Sequence, residues 1–180
     1  MRWSALLPCL MLFLASASCA GAEQIGLAPP ATQVGIRVYG LGLVPIDGRF
    51  TRFHGTLSYD HADPTSCRID LVAEVASLAG PNETIRNDIV GPEFMDAAHY
   101  PLLTFHGACQ GNGIAGQLEM HGVLHGLALD LDRQHGRLVA EGHLLRANWG
   151  MTARPFTVGR TVRITVVVTL PNASQPGGMG

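Results

Sequence analysis

Eight histidines and fourteen carboxylates are the groups through which this chain could do acid–base or metal chemistry, and the most closely spaced imidazoles are His121 and His125. Four residues of separation bring two imidazoles together on a helix face, where they can share a metal. On a strand the same spacing leaves them about 13 Å apart. Gly116, Gly122 and Gly126 crowd the segment and argue against helix. A metal site therefore needs a turn at Gly122, and without one these are surface or hydrogen-bonded imidazoles. His106 lies out of phase with Leu103 and Phe105 and faces outward. Asp130 and Asp132 stand two apart on one strand face and read as solvated charge rather than as an acid–base pair. No Gly-x-Ser-x-Gly elbow or Walker loop occurs, and Gly40-Leu41-Gly42 is only a fragment of a dinucleotide-binding glycine motif. The expectation is a protein that is not an enzyme and carries neither cofactor nor resident metal. A His-dependent, metal-assisted or quinone-linked catalyst is the runner-up.

The four cysteines divide by position. Cys9 and Cys19 fall in an N-terminal stretch where Arg2 precedes a mostly apolar run from Ala5 to Ala17, followed by Ser18, Ala20, Gly21 and Ala22. That is the pattern of a secretory signal peptide, and it is shorter than the roughly 20 residues a membrane span needs. Lipidation at Cys19 is the lesser reading, because Ser16-Ala17-Ser18 lacks the large aliphatic residue usual at the third position before such a cysteine. Export to the periplasm or beyond leaves Cys67 and Cys109, an even pair in an oxidising compartment, which favours a disulfide over two packed thiols. All twelve basic residues are arginine, the net charge is −2, and no basic patch forms, so nucleic acid is a poor partner.

These groups must be held by strands. From Cys67 to Val75 the odd positions are Cys67, Ile69, Leu71, Ala73 and Val75, while Arg68, Asp70 and Glu74 fall between them. Val162, Ile164, Val166, Val168 and Leu170 alternate in the same way, as do Phe53, Leu57 and Tyr59, then Leu103 and Phe105, then Ile114, Leu118 and Met120. Such period-2 runs are half-buried strands, usually antiparallel. Turn signals separate them at Asp47-Gly48, Asp60 to Pro64, Gly80-Pro81-Asn82, Gly111-Asn112-Gly113, Gln134-His135-Gly136 and Thr157-Val158-Gly159. The apolar phase flips to Leu127, Leu129 and Leu131 after Met120, which calls for a tight corner or a bulge between Gly122 and Gly126. About eight strands result, and eight antiparallel strands with one dry face close into a barrel, although a two-sheet sandwich satisfies the same pattern. Residues 82–98 hold the helical stretch. There Gly91-Pro92 makes a break, Pro92 opens a second short helix that Tyr100-Pro101 ends, and Phe94 and Met95 plug the barrel. The expected organisation is a signal peptide over 1–22, a linker over 23–32, the barrel over 33–170 and a flexible tail over 171–180.

Several stretches together resemble one family. They are Gly48-Arg49-Phe50 with Phe53-His54-Gly55-Thr56-Leu57, Ala76-Ser77-Leu78, Gly91-Pro92-Glu93-Phe94-Met95-Asp96 with Tyr100-Pro101, Leu118-Glu119-Met120-His121-Gly122-Val123, and Arg146-Ala147-Asn148-Trp149-Gly150-Met151. In this order they resemble the YceI-like family of exported bacterial lipid-binding proteins. The resemblance implies an all-β fold, an extended eight-stranded antiparallel β-barrel of lipocalin-like architecture with a short helical plug. It also implies an apolar tunnel for a polyisoprenoid lipid or an isoprenoid quinone. The chain departs from the family pattern in carrying Arg86-Asn87-Asp88 and Phe94-Met95 where an Arg-Asp pair and an aromatic pair are usual. Strand phase proposes Phe53, Leu57, Ile69, Leu71, Val75, Phe105, Leu118, Met120, Val162, Ile164 and Val166 as the lining, with Phe94 and Met95 added from the plug. A filled core alternates identically, so a structural envelope protein is the other outcome. The expected partners are the lipid or quinone, transiently a membrane, and a second copy meeting the barrel edges or mouths.

Overall fold

The computed structural model describes residues 23–59, 63, 66–134 and 136–170. The alternating runs form strands: β1 (Glu23–Leu27), β2 (Thr32–Gly40), β3 (Val44–Phe50), β4 (Phe53–Tyr59), β5 (Cys67–Glu74), β6 (Leu78–Ala79), β7 (Leu102–Gln110), β8 (Gly113–Met120), β9 (Val123–Gln134), β10 (Arg137–Leu145) and β11 (Thr161–Thr169). They join in one antiparallel sheet in the order β1-β4-β5-β7-β8-β9-β10-β11-β2-β3-β6. A single sheet with one apolar face removes that face from water by curling around it. The outcome is an eleven-stranded, strongly curled half-barrel with one short helix, where a closed eight-stranded barrel was expected.

Three local features make the difference. Residues 23–27, placed in the linker over 23–32, pair instead with β4, setting Ile25 against Leu57 and burying Ile25 and Leu27. Asp47-Gly48, read as a hairpin turn, lies inside β3, with Asp47 opposite Arg37 and Gly48 opposite Ile36. A Cβ at Gly48 would stand 3.0 Å from Leu78 Cδ1 and 3.1 Å from Ile36 Cγ1, so glycine serves close packing there rather than a turn. The chain reverses instead at Leu41–Leu43, where Leu43 N donates to Gly40 O. Last, Leu78–Ala79 adds a two-residue strand along β3.

β1 and β6 are the sheet's edges, yet the chain crosses between the two sides of the opening four times, through residues 28–31, through Thr51 and Arg52, through Val75–Ser77, and back through residues 80–101. Ser77 stitches this seam. Its carbonyl accepts from Thr51 N and Oγ1, its hydroxyl oxygen accepts from Arg52 N at 3.1 Å, and the hydroxyl donates to Glu74 O at 2.7 Å. An Arg52–Glu74 ion pair at 2.6 Å lies beside it.

The phase flip after Met120 needs no bulge. His121 and Gly122 form a two-residue turn with φ of 54° and 70°, pairing Met120 with Val123. Across such a turn an even position always faces an odd one, so the dry face moves from Met120 and Leu118 to Leu127 and Leu129. The helix also differs from expectation. α1 runs Glu83–Val90, capped by Asn82, whose side chain accepts from Ile85 N at 2.9 Å. Pro92 does not open a second helix. It forces Gly91 into extended geometry (ψ 175°), which ends α1, and residues 91–100 continue as successive turns. Val75, expected in a strand, sits in a short 3₁₀ turn, Val75–Ser77. The proposed signal peptide, the tail over 171–180, most of the Asp60–Pro64 turn and His135 lie outside the described residues.

Candidate functional site

The curled sheet, with the plug at one end, lines two partly open cavities end to end. One, of about 230 Å³, is lined by Leu27, Leu57, Tyr59, Cys67, Ile69, Leu71, Phe105, Cys109, Ile114, Leu129, Leu131, Arg133, Leu138, Ala140, Val166, Val168 and Leu170. The other, of about 280 Å³, lies beneath the plug among Ile36, Val38, Ile46, Phe50, Ile85, Asp88, Ile89, Phe94, Met95, Leu103, Met120, Leu144, Arg146, Met151, Arg154, Thr157, Val158, Val162 and Ile164. Successive inward positions of one strand divide between them. On β11 Ile164 serves the plug-side cavity and Val166 the other, and on β7 Leu103 and Phe105 divide likewise. Leu118, 2 % exposed, sits on β8 between Ile114 of the first cavity and Met120 of the second.

Of the residues proposed from strand phase, Leu57, Ile69, Leu71, Phe105 and Val166 border the first cavity, and Met120, Val162 and Ile164 border the second with the plug residues Phe94 and Met95. Phe53, Val75 and Leu118 border neither and are buried in the surrounding core. Sequence reasoning missed the contribution of β2 and β3, although Val34, Ile36 and Val38 alternate as clearly as any run it used. It also missed Ala140, because a small residue gives no apolar signal.

Two glycines shape the first cavity. Gly107 and Gly116 face each other across β7 and β8, and the Phe105 ring lies over both. A Cβ at Gly107 would stand 2.8 Å from Phe105 Cε1 and Cζ, and one at Gly116 would stand 2.7 Å from Cζ. The missing side chains let the ring lie against the wall. At the same end, Cys67 and Cys109 are joined by a disulfide with Cα atoms 4.9 Å apart, tying the ends of β5 and β7. Tyr59 lies nearby, and burial, reinforced by Glu23, holds its phenol above the ordinary range.

The plug is fastened by charge. Arg86 donates from Nη2 to Ala76 O at 2.6 Å and from Nε to Leu78 O at 3.2 Å, anchoring α1 to β6 rather than standing on a merely solvated helix face. Arg154 pairs with Asp88 and with Glu93, each at 2.8 Å, and these carboxylates raise its pKa. Arg146 is different. It is 4 % exposed and donates to the carbonyls of Gly159, Met151 and Val158, with its guanidinium 5.5 Å from the Phe94 ring centroid. Burial lowers its pKa, with no carboxylate offsetting the effect among the described residues. It stays protonated, a buried cation held by carbonyls in the wall of an otherwise mostly apolar space.

The described histidines do not converge. His121 Nδ1 lies 3.0 Å from Trp149 O and its ring packs on Tyr100, whereas the His125 ring packs on Trp149 at 5.1 Å. His106 is exposed and bonded to Asp70 at 2.6 Å. Among the described residues no three His, Cys, Asp or Glu side chains are grouped to hold a metal ion.

Residues 26–170 match the YceI-like domain. The chain belongs to the YceI-like family. Among its curated relatives, a UPF0312 protein of Vibrio campbellii is 28 % identical over 105 residues, covering 55 % of this chain and 56 % of the relative. A UPF0312 protein of Shewanella oneidensis is 29 % identical over 131 residues, 69 % and 64 % of the two chains. The matches thus span between about half and two thirds of these relatives' length. Among solved structures, BcnA of Burkholderia cenocepacia superposes with a TM-score of 0.63 at 19 % identity, covering 77 % of this chain and 96 % of that one. A polyisoprenoid binding domain from Saccharophagus degradans gives 0.53 at 16 % identity, with 78 % and 95 % covered. At these identities the likeness is one of YceI-like fold.

Proposed function

We propose that this YceI-like protein is an exported carrier that sequesters or ferries a polyisoprenoid lipid or isoprenoid quinone in its sheet-lined interior. The observation that carries the reading is the pair of apolar cavities set end to end along one curled sheet. A filled core, the alternative at the outset, leaves no such space. Each cavity is smaller than the roughly 300–1,000 Å³ of a typical small-molecule pocket. A narrow chain passing Leu118 uses both, whereas a compact ligand uses one. An isoprenoid tail has no charge to pair, so its affinity comes from apolar area at about 0.8 kcal/mol per buried methylene before ordering costs. The fold shared with the Saccharophagus polyisoprenoid binding domain supports this ligand class. The N-terminal sequence pattern and the Cys67–Cys109 disulfide support export to the periplasm or beyond. The His-dependent enzyme is less well supported, since His121 and His125 are each engaged at Trp149 rather than with one another.

Native mass spectrometry of the protein purified from its own host tests the proposal. An adduct of isoprenoid mass, released by organic extraction, is expected. No adduct, together with no uptake of added quinone, overturns the carrier reading.

A further inference from the structure

Eight large apolar side chains are exposed among the described residues, and five of them crowd onto two loops that touch: Tyr39, Leu41, Leu43, Val44 and Phe156. The loops are the β2–β3 turn and the segment preceding β11. Leu41 N donates to Thr157 O at 2.8 Å, Gly159 N donates to Tyr39 O at 2.8 Å, and Gly40 bridges Val158. Leu43 is 85 % and Phe156 93 % exposed. Single exposed apolar residues are ordinary, but a cluster at one tip marks an interaction surface.

Backbone geometry separates this tip from a chance cluster. Leu41 has φ of 49°, in the left-handed region, with glycines on either side. That conformation crowds the Cβ of an L-residue against the following carbonyl oxygen, a penalty glycine avoids. The fold thus holds a leucine where glycine is less strained and points its side chain into water. Core packing gains nothing from it.

Charge and position indicate what covers the tip. From Tyr39 to Pro45 there is no charged residue, and on the facing loop Arg154 is held by Asp88 and Glu93, while Arg160 is exposed at the loop's β11 end. The tip therefore offers aliphatic and aromatic surface, with the exposed Arg160 the next charged group along the second loop. It is also continuous with the plug-side cavity, because Val38 and Ile46 flanking one loop and Thr157 and Val158 on the other line that cavity.

We propose that these two loops dip together into the surface of a lipid bilayer and set the plug-side cavity against it. The inference rests on the carrier reading, because a ligand of that class resides in bilayers and crosses water poorly. Leu41, Leu43 and Phe156 enter the acyl boundary, and Tyr39 sits at headgroup level, as amphipathic aromatic rings do.

Flotation with vesicles of phosphatidylethanolamine and phosphatidylglycerol tests the proposal. The native sequence binds, the combined variant Leu41→Ser, Leu43→Ser, Phe156→Ser loses at least tenfold in vesicle partition, and Leu124→Ser, on an exposed residue of β9, does not. A Phe156→Trp variant gives a readout that does not depend on the triple variant folding, with its emission shifting to the blue on vesicle addition. No vesicle binding, equal binding by the triple variant, or an unshifted emission from the Phe156→Trp variant each overturns the proposal. A dimer in solution that the same three changes dissociate, without vesicle binding, overturns it in favour of a second copy. Mass spectrometry on the same preparations separates the two readings. Retained lipid without vesicle binding removes the docking surface alone, whereas vesicle binding with neither retained lipid nor uptake of added quinone supports the docking surface and removes the carrier reading.

Discussion

Replacing Gly107 by alanine distinguishes an open interior from a filled one. The new Cβ would stand 2.8 Å from two atoms of the Phe105 ring and 3.1 Å from Ile114 Cγ2, and its three nearest neighbours are all side-chain atoms. Ordinary carbon contacts lie at about 3.5–4.0 Å, so the ring must retreat by about 1 Å. Phe105 borders the 230 Å³ cavity, and the retreat leads into it. Overpacking a filled core costs about 1–3 kcal/mol. Here the ring moves into space, and replacing a strand glycine recovers roughly 0.5–1 kcal/mol of chain entropy, so the expected change in stability is under about 1 kcal/mol. The loss falls on the ligand instead. Displacing about one methylene of an isoprenoid chain removes about 0.8 kcal/mol, a roughly fourfold weaker Kd. Urea unfolding and farnesol titration by calorimetry measure the two quantities on one preparation. Gly116→Ala is the contrast, because its Cβ would stand 2.7 Å from the Gly107 Cα, a backbone atom that cannot swing aside, and it is expected to destabilise the fold. A Gly107→Ala protein destabilised by more than about 2 kcal/mol with farnesol affinity unchanged would falsify the reasoning, since the ring would then have had nowhere to go.

Three further outcomes are expected. Reducing the Cys67–Cys109 bond, or replacing both residues by serine, removes a cross-link with a sequence separation of 42, for which the chain-entropy model gives about 4 kcal/mol; urea midpoints with and without reductant check this. Phe94→Ala lowers stability by about 3 kcal/mol, because the ring is 8 % exposed and lies near the guanidiniums of both Arg146 and Arg154, while Glu93→Ala, which loses one exposed ion pair, costs less than about 1 kcal/mol; urea unfolding of the two variants checks the contrast. Phe94→Asp is a poorer test, since it brings a carboxylate to those same two cations. Arg146→Met leaves the carbonyls of Gly159, Met151 and Val158 without their donor and is expected to lower Tm by about 10 °C in a thermal melt; an unchanged Tm means that other donors serve them.

Side-chain phase was legible in β5 and β11, because facing in or out is a local consequence of strand geometry. Cys67, Ile69, Leu71 and Ala73 share the dry face, and so do Val162, Ile164 and Val166. β1 was not legible, because five residues carrying two inward apolar side chains look like a linker until β4 pairs with them. Asp47-Gly48 misled for a related reason: glycine serves turns and close strand packing alike, and only the nearness of Leu78 and Ile36 separates the two.

The sequence by itself determined an antiparallel, strand-built chain with a consistent dry face, a cysteine pair available to cross-link it, and membership of a family that its ordered motifs already suggested. Only the tertiary structure decided that the sheet curls as eleven strands with a stitched seam, and that the interior holds two cavities rather than a solid core. It alone places Arg146 as a buried cation beside Phe94, and Leu41 and Phe156 on one exposed tip. Alternation is fixed by neighbours along the chain and can be read there. Enclosed volume and the meeting of distant residues depend on strand register and curvature, which residues far apart in sequence set jointly.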